Sequence, residues 1–347
     1  MTSTSFFANT LSVDASPSLN ELEAGPTAWR RTATTPTAPL ESLYEQDVPA
    51  DLVDSLAATG DARVTPVIIR TPDGVQLRGH WHLPAQDRLI RFATVIHPAT
   101  AVPASYYHAF ADWLTSRGHA VLTYDYRGIG QSIADLPADA SVTMDDWATH
   151  DAGAASDLVF SRYPDLPVYM VGHSMGGQAM MMNPMSQRMT AGVFYGVGSG
   201  YWGFCEGTTR ASRLAVWHLM FPATLGLFGR VPGWTGIGED LPAAVARQWR
   251  QRCLTPTYFE APMLERVRHN LEAGARPVLS IAMSDDDYIN PAAVADFAQH
   301  FSPGQLELRN LTPADIGQRS VGHFRAFRPS VGQKLWPIMA QWLESHR

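Results

Sequence analysis

The sequence has only two cysteines in 347 residues, Cys205 and Cys253. Two thiols cannot build a disulfide framework, so a reducing compartment, the cytoplasm, is the expected setting. It has no basic excess: 26 Lys and Arg face 33 Asp and Glu, for a net charge of −7. That excludes the electrostatic footprint of a nucleic-acid binder. It has no run of about 18 apolar residues such as a membrane span needs. The nearest approach, Leu214 to Gly229, is broken by His218 and Pro222. The start, Met1 to Phe7, is uncharged and turns polar again at Asn9, so no export signal is read there. No phosphate-binding loop, zinc cluster or Schiff-base lysine context is visible. His80 and His82 are spaced to share one face of a strand, but without an acidic or thiol neighbour they do not make a metal site. No metal or cofactor is expected.

What is present is enough to fold. Hydrophobic residues make up 45% and charged residues 17%, a balance that supports a sizeable core. Residues 1–61 are rich in Ser, Thr, Ala and Pro and read as an N-terminal extension, partly disordered, with some helical character from Leu40 to Leu56. Residues 62–347 carry regular patterns. Val64 to Ile69, the turn Thr71-Pro72-Asp73-Gly74 and Val75 to Leu83 read as a hairpin. Short apolar runs at Phe92 to Ile96, Ala120 to Tyr124, Pro167 to Val171, Ala191 to Val197 and Pro277 to Met283 read as buried strands. Gln305 to Leu311 follows as a last strand. Helices fall between them. One is capped by Ser105, one opens on the capping box Thr143-Met144-Asp145-Asp146, and others span Met175 to about Met189, Pro291 to Phe301 and Val331 to His346. This alternation predicts an α/β fold with a mostly parallel sheet and an antiparallel leading edge. It lapses over residues 200–275, which read as an insertion.

The segment Val171-Gly172-His173-Ser174-Met175-Gly176-Gly177 holds a G-x-S-x-G motif between a strand and a helix. In that context a sharp turn exposes the serine, and a Cβ at Gly172 or Gly176 would crowd it. Without such a context the motif is a glycine-rich turn and nothing more. The helix beginning at Met175 aims free N–H groups and its dipole at the serine. A serine hydroxyl needs a base, and in this arrangement acid and histidine follow it in the chain. Of His300, His323 and His346, His323 lies in a loop between the last strand and the last helix, the place such a base occupies. The acid is expected just after Met283, at Asp285, Asp286 or Asp287, with Asp286 favoured by spacing. Two oxyanion donors are expected. One is the N–H of Met175; the other comes from His97-Pro98-Ala99-Thr100, with Ala99 preferred because Pro98 has no N–H, and Thr100 second.

Together these residues resemble the α/β-hydrolase superfamily over about residue 62 to the C-terminus. Asp125-Tyr126-Arg127-Gly128-Ile129-Gly130-Gln131-Ser132 looks like its D-x-R-G-x-G-x-S turn. The third glycine of a dinucleotide fingerprint is replaced by Ile133, so that reading is set aside. The subgroup of bacterial serine hydrolases related to lysophospholipases and serine aminopeptidases is similar at His97-Pro98-Ala99-Thr100, Gly198 to Trp202, Gly238 to Pro242 and Gly322-His323-Phe324. Its usual His-Gly start is His97-Pro98 here, and the N-terminal extension has no counterpart in the fold. The resemblance implies an eight-stranded α/β-hydrolase fold with a helical lid at about 200–275. It also implies a cofactor-free serine hydrolase acting on a small-molecule carboxylic ester or thioester through Ser174, His323 and Asp286. Trp217, Phe221 and Phe228 are expected in an apolar substrate pocket, and Arg247, Arg250 and Arg252 are read as a solvated helix face or as an anion site. An acyltransferase or cyclase would use the same triad, and a non-catalytic binding module would use the fold alone. Peptidase chemistry follows only from the subgroup. The oligomeric state is not readable.

Overall fold

A computed structural model describes residues 63–133, 141–274 and 276–347; the extension expected at residues 1–61 lies outside them. The leading hairpin forms where Thr71 to Gly74 turns the chain. The Thr71 hydroxyl donates to the Asp73 carboxylate, and Gly74 takes φ of 88°. This turn pairs β1 (Arg63–Arg70) antiparallel with β2 (Gln76–Leu83), which pairs antiparallel with β4 (His119–Tyr124). Parallel pairings then join β4 to β3 (Phe92–His97), β3 to β5 (Val168–His173), β5 to β6 (Ala191–Tyr195), β6 to β7 (Val278–Met283) and β7 to β8 (Leu306–Leu311). The eight-stranded order is β1-β2-β4-β3-β5-β6-β7-β8. Every residue of β3 to β7 is buried. This is why those strands read as unbroken apolar runs rather than alternating ones.

Helices cover both faces. On one, α1 (His108–Thr115) and a C-terminal helix, Pro329–Ser345, pack Phe110, Leu114, Leu335 and Trp336 against Ile96, Val171, Val193 and Ile281. On the other, α2 (Ala152–Arg162) and α3 (Met175–Met182) pack against Val95, Leu122 and Met170. Helix α3 ends at Met182, seven residues earlier than the sequence suggests. Asn183 is extended ahead of Pro184, whose ring disfavours helical backbone in the residue before it. Ser105 caps no helix; instead the Asp125 carboxylate accepts the Ala104 N–H. Thr143 and Asp146 do form the capping box, followed by a π-helical turn at Trp147–Asp151.

Between β6 and β7 the chain leaves the sheet for an insertion holding α4 (Gly207–Ala215), α5 (Phe221–Phe228), α6 (Ala243–Leu254) and α7 (Ala261–Ala273). A two-residue ribbon, Arg230–Val231 with Leu241–Pro242, ties it together. Helix α8 (Pro291–Ala298) and the C-terminal helix, α9, complete the layers. No helix among the described residues is long and apolar enough to cross a membrane.

Candidate active site

The carboxyl ends of the central strands bring the motif residues together. β5 ends at His173 and α3 starts at Met175, leaving Ser174 alone at the bend with φ 52° and ψ −116°. A positive φ on a residue with a Cβ is strained and persists only where the surroundings hold it. They do: Ser174 N–H donates to Tyr195 O at 3.0 Å, and Ser174 O accepts the Gly177 N–H at 3.1 Å. A Cβ at Gly176 would stand 2.0 Å from His97 O, so only glycine lets α3 approach the end of β3. The N–H of Met175 opens the helix and has no intrahelical acceptor.

His323 is buried, 6% exposed, in the loop between β8 and α9. Its Nδ1 lies 2.7 Å from Asp286 Oδ2, while Asp286 Oδ1 accepts N–H groups of Tyr288 and Ile289 at 2.8 Å each. The three consecutive aspartates therefore do different work. Asp285 accepts the N–H groups of Val321 and Gly322 and the Ser320 hydroxyl, fixing the histidine loop. Asp286 meets the imidazole. Asp287 is exposed. Gly196 makes room for the pair, because a Cβ there would sit 2.9 Å from His323 Nδ1.

The loop after β3 corrects one expectation. The Ala99 N–H is already donated to the Tyr107 hydroxyl at 2.9 Å, so it is not available to an oxyanion. Thr100, the second candidate, lines the same cavity as Ser174, and among the described residues its N–H has no acceptor. The Tyr107 hydroxyl is also 2.9 Å from His173 Nδ1, and His173 Nε2 is 3.0 Å from the His323 carbonyl. The carbonyl can only accept, so Nε2 carries the proton. Nδ1 then accepts from Tyr107, whose oxygen takes the Ala99 N–H. Burial, reinforced by neighbouring His323, holds the His173 pKa well below its ordinary value and keeps it in this neutral form. One chain of bonds thus joins the loop after β3, the elbow and the histidine loop.

Ser174, Met175, Thr100 and His323 line a cavity of about 50 Å³, together with Arg213, Ile237, Trp249 and Tyr258 of the insertion. Trp217, Phe221 and Phe228, expected here, do not line it. Trp217 and Phe221 meet the Trp249 ring edge-on, with centroids 5.2 and 5.8 Å away, and Phe228 is 49% exposed. Arg252 is buried against Asp145 and Glu260, Arg250 donates to the Trp217 carbonyl, and Arg247 is exposed. The arginine that does reach the cavity, Arg213, carries no motif that marks it in the sequence. Two roomier clefts, of about 790 and 640 Å³, lie elsewhere, and neither is lined by Ser174. Asp125 and Arg127 are structural. Arg127 bridges Asp73 and Asp151, and Asp125 holds the Ala104 and Gln131 N–H groups. Both cysteines are free and buried, and among the described residues no three His, Cys, Asp or Glu are placed to hold a metal ion.

The model of the family described as serine aminopeptidase, S33, matches residues 95–191, the stretch from β3 through the elbow to the start of β6. Solved structures share the fold. An esterase of Pyrococcus furiosus is 17% identical, covering 87% of this chain and 96% of its own, with a TM-score of 0.52. The esterase domain of a Rhodothermus marinus protein is 16% identical over 82% and 99%, also at 0.52. A hypothetical protein of Pseudomonas aeruginosa is 15% identical over 83% and 94%, at 0.54. No curated protein matches the sequence. The sheet order and the strained elbow are those of the α/β-hydrolase fold, and the family match over residues 95–191, with esterases among the structures that share the fold, supports a hydrolase.

Proposed function

We propose that this hydrolase cleaves a carboxylic ester or thioester through a Ser174–His323–Asp286 triad. The observation that carries the reading is the buried Asp286–His323 pair, whose imidazole lines the same cavity as a serine held at positive φ. With Nδ1 turned to Asp286, Nε2 is the nitrogen left to take the Ser174 proton. The Ser174 oxygen attacks the acyl carbonyl. The N–H groups of Met175 and Thr100 are assigned to the oxyanion, and His323 returns the proton to the departing alcohol or thiol. Water deprotonated by His323 then releases the acid and frees the serine. The elements of the insertion over the cavity serve as a lid. About 50 Å³ holds one or two waters, far below the several hundred Å³ of a ligand pocket, so substrate entry requires the insertion to shift. An aminopeptidase must pair a substrate ammonium, and among the described residues no Asp or Glu lines this cavity. That favours the esterase reading over the peptidase one.

The test is pre-steady-state hydrolysis of p-nitrophenyl butyrate. The expected result is a burst of p-nitrophenolate that reports the acyl-enzyme, absent in Ser174→Ala. Turnover that persists unchanged in Ser174→Ala overturns the assignment.

A further inference from the structure

We infer that the substrate carries a carboxylate, recognised by Arg213; the inference rests on the serine-hydrolase reading and names its substrate class. Arg213 projects from α4 of the insertion into the cavity that holds Ser174 and His323. Its guanidinium carbon lies 4.1 Å from the centre of the Tyr288 ring, and that ring stacks on the His323 imidazole at 5.5 Å and 20°. The cation therefore sits one aromatic layer from the proposed base.

Among the described residues no direct ion pair balances the Arg213 charge there, although the exposed Asp287 carboxylate acts on the same Cys205 thiol. One Nη donates to the Asp287 backbone carbonyl at 3.2 Å, the Cys205 thiol is a second neutral neighbour, and no carboxylate among the described residues forms an ion pair with it. The contrast with Arg252 is direct: that guanidinium meets two carboxylates. A guanidinium offers five N–H donors in a planar fork suited to a carboxylate. A cavity lined, among the described residues, by one arginine and no Asp or Glu selects an anion and rejects an ammonium. The rest of the molecule gives an anion no help, since the net charge of −7 repels it at long range. A preference for anionic substrates must therefore arise locally. Because Arg213 belongs to the insertion, the same contact would draw the insertion closed over a bound substrate.

The carboxylate can belong to either half of the ester, and two matched substrate pairs separate these cases. Mono-p-nitrophenyl glutarate against its methyl ester places the charge on the acyl side. 4-Carboxyphenyl butyrate against its methyl ester places it on the leaving group. The wild type is expected to favour the charged member of one pair by about 10- to 100-fold in kcat/KM. Arg213→Met brings that ratio to about one, and Arg213→Lys retains part of it. A neutral fluorophosphonate probe still labels all three proteins, because that reaction needs the nucleophile and not the cation. A wild-type ratio at or below one in both pairs overturns the proposal without use of any variant, as does a ratio that survives Arg213→Met. If the folded wild type is not labelled by the probe, the hydrolase reading fails first and this proposal with it.

Discussion

At the residue scale the three aspartates after β7 carry separable duties. Three identical neighbours at a strand end cannot be told apart by type, and only burial and direction distinguish them. Asp286→Asn keeps the hydrogen-bonding shape but favours the wrong imidazole tautomer, so kcat should fall by about 10⁴ while KM changes little. Asp285→Asn loosens the histidine loop without touching the ring, and a loss of no more than about tenfold is expected. Steady-state kinetics on the two variants checks the order, and equal losses would contradict it. The sequence points to Ala99 as the second oxyanion donor for a similar reason. Pro98 correctly excludes itself, but nothing in the sequence announces that Tyr107, eight residues on, occupies the Ala99 N–H. Tyr107→Phe leaves that N–H and His173 Nδ1 without their shared partner in a buried site. Urea denaturation should show a loss of about 1–3 kcal/mol. A change under about 0.5 kcal/mol would mean that the bonded chain contributes little.

At the element scale, legibility follows burial on two faces. Strands β3 to β7 are buried throughout and appear in the sequence as apolar runs with glycine or proline near their ends. Helix α3 announces its start through the G-x-S-x-G turn but not its stop. The methionine-rich pattern runs past Asn183-Pro184, and the local backbone preference wins. The insertion was legible only as a lapse in alternation. Its aromatic residues pack mainly on one another, as Trp217, Phe221 and Trp249 do, so hydrophobicity there marks internal packing and not the cavity wall. Glu239 is one of several residues that tie the insertion to the rest of the domain. Glu239 N–H donates to Ala101 O at 2.9 Å, and Glu239 Oε2 accepts the Gly130 N–H at 2.6 Å. Glu239→Ala should speed amide hydrogen exchange at residues 128–131 and 236–242 and leave β3 to β7 protected. Uniform change across the chain, or none, would argue against a local latch.

At the scale of the whole molecule, the fold was the most legible feature, because strand–helix alternation, the elbow and the late histidine all constrain one topology. What remained hidden was electrostatic: which charges are paired and which histidines are buried neutral. His97 is fully buried, and burial lowers its pKa to about 3. In the unfolded chain it titrates near 6.5. Its contribution to stability is therefore complete above pH 6.5 and is lost as the pH falls toward 3. Between pH 6.5 and pH 5 the loss from this one residue is about 2 kcal/mol. His97→Gln should make the decline in urea-unfolding free energy between pH 7 and pH 5 shallower by that amount. Parallel declines in the two proteins would contradict the assignment.

The proposed chemistry rests on His323, oriented by Asp286, activating Ser174. Labelling with a fluorophosphonate, followed by peptide mapping by mass spectrometry, tests it most directly. The wild type should carry one adduct, on Ser174, and Ser174→Ala and His323→Ala none, when circular dichroism shows both variants folded. An unlabelled, folded wild type, or an adduct on Ser174 that persists in His323→Ala, would contradict it.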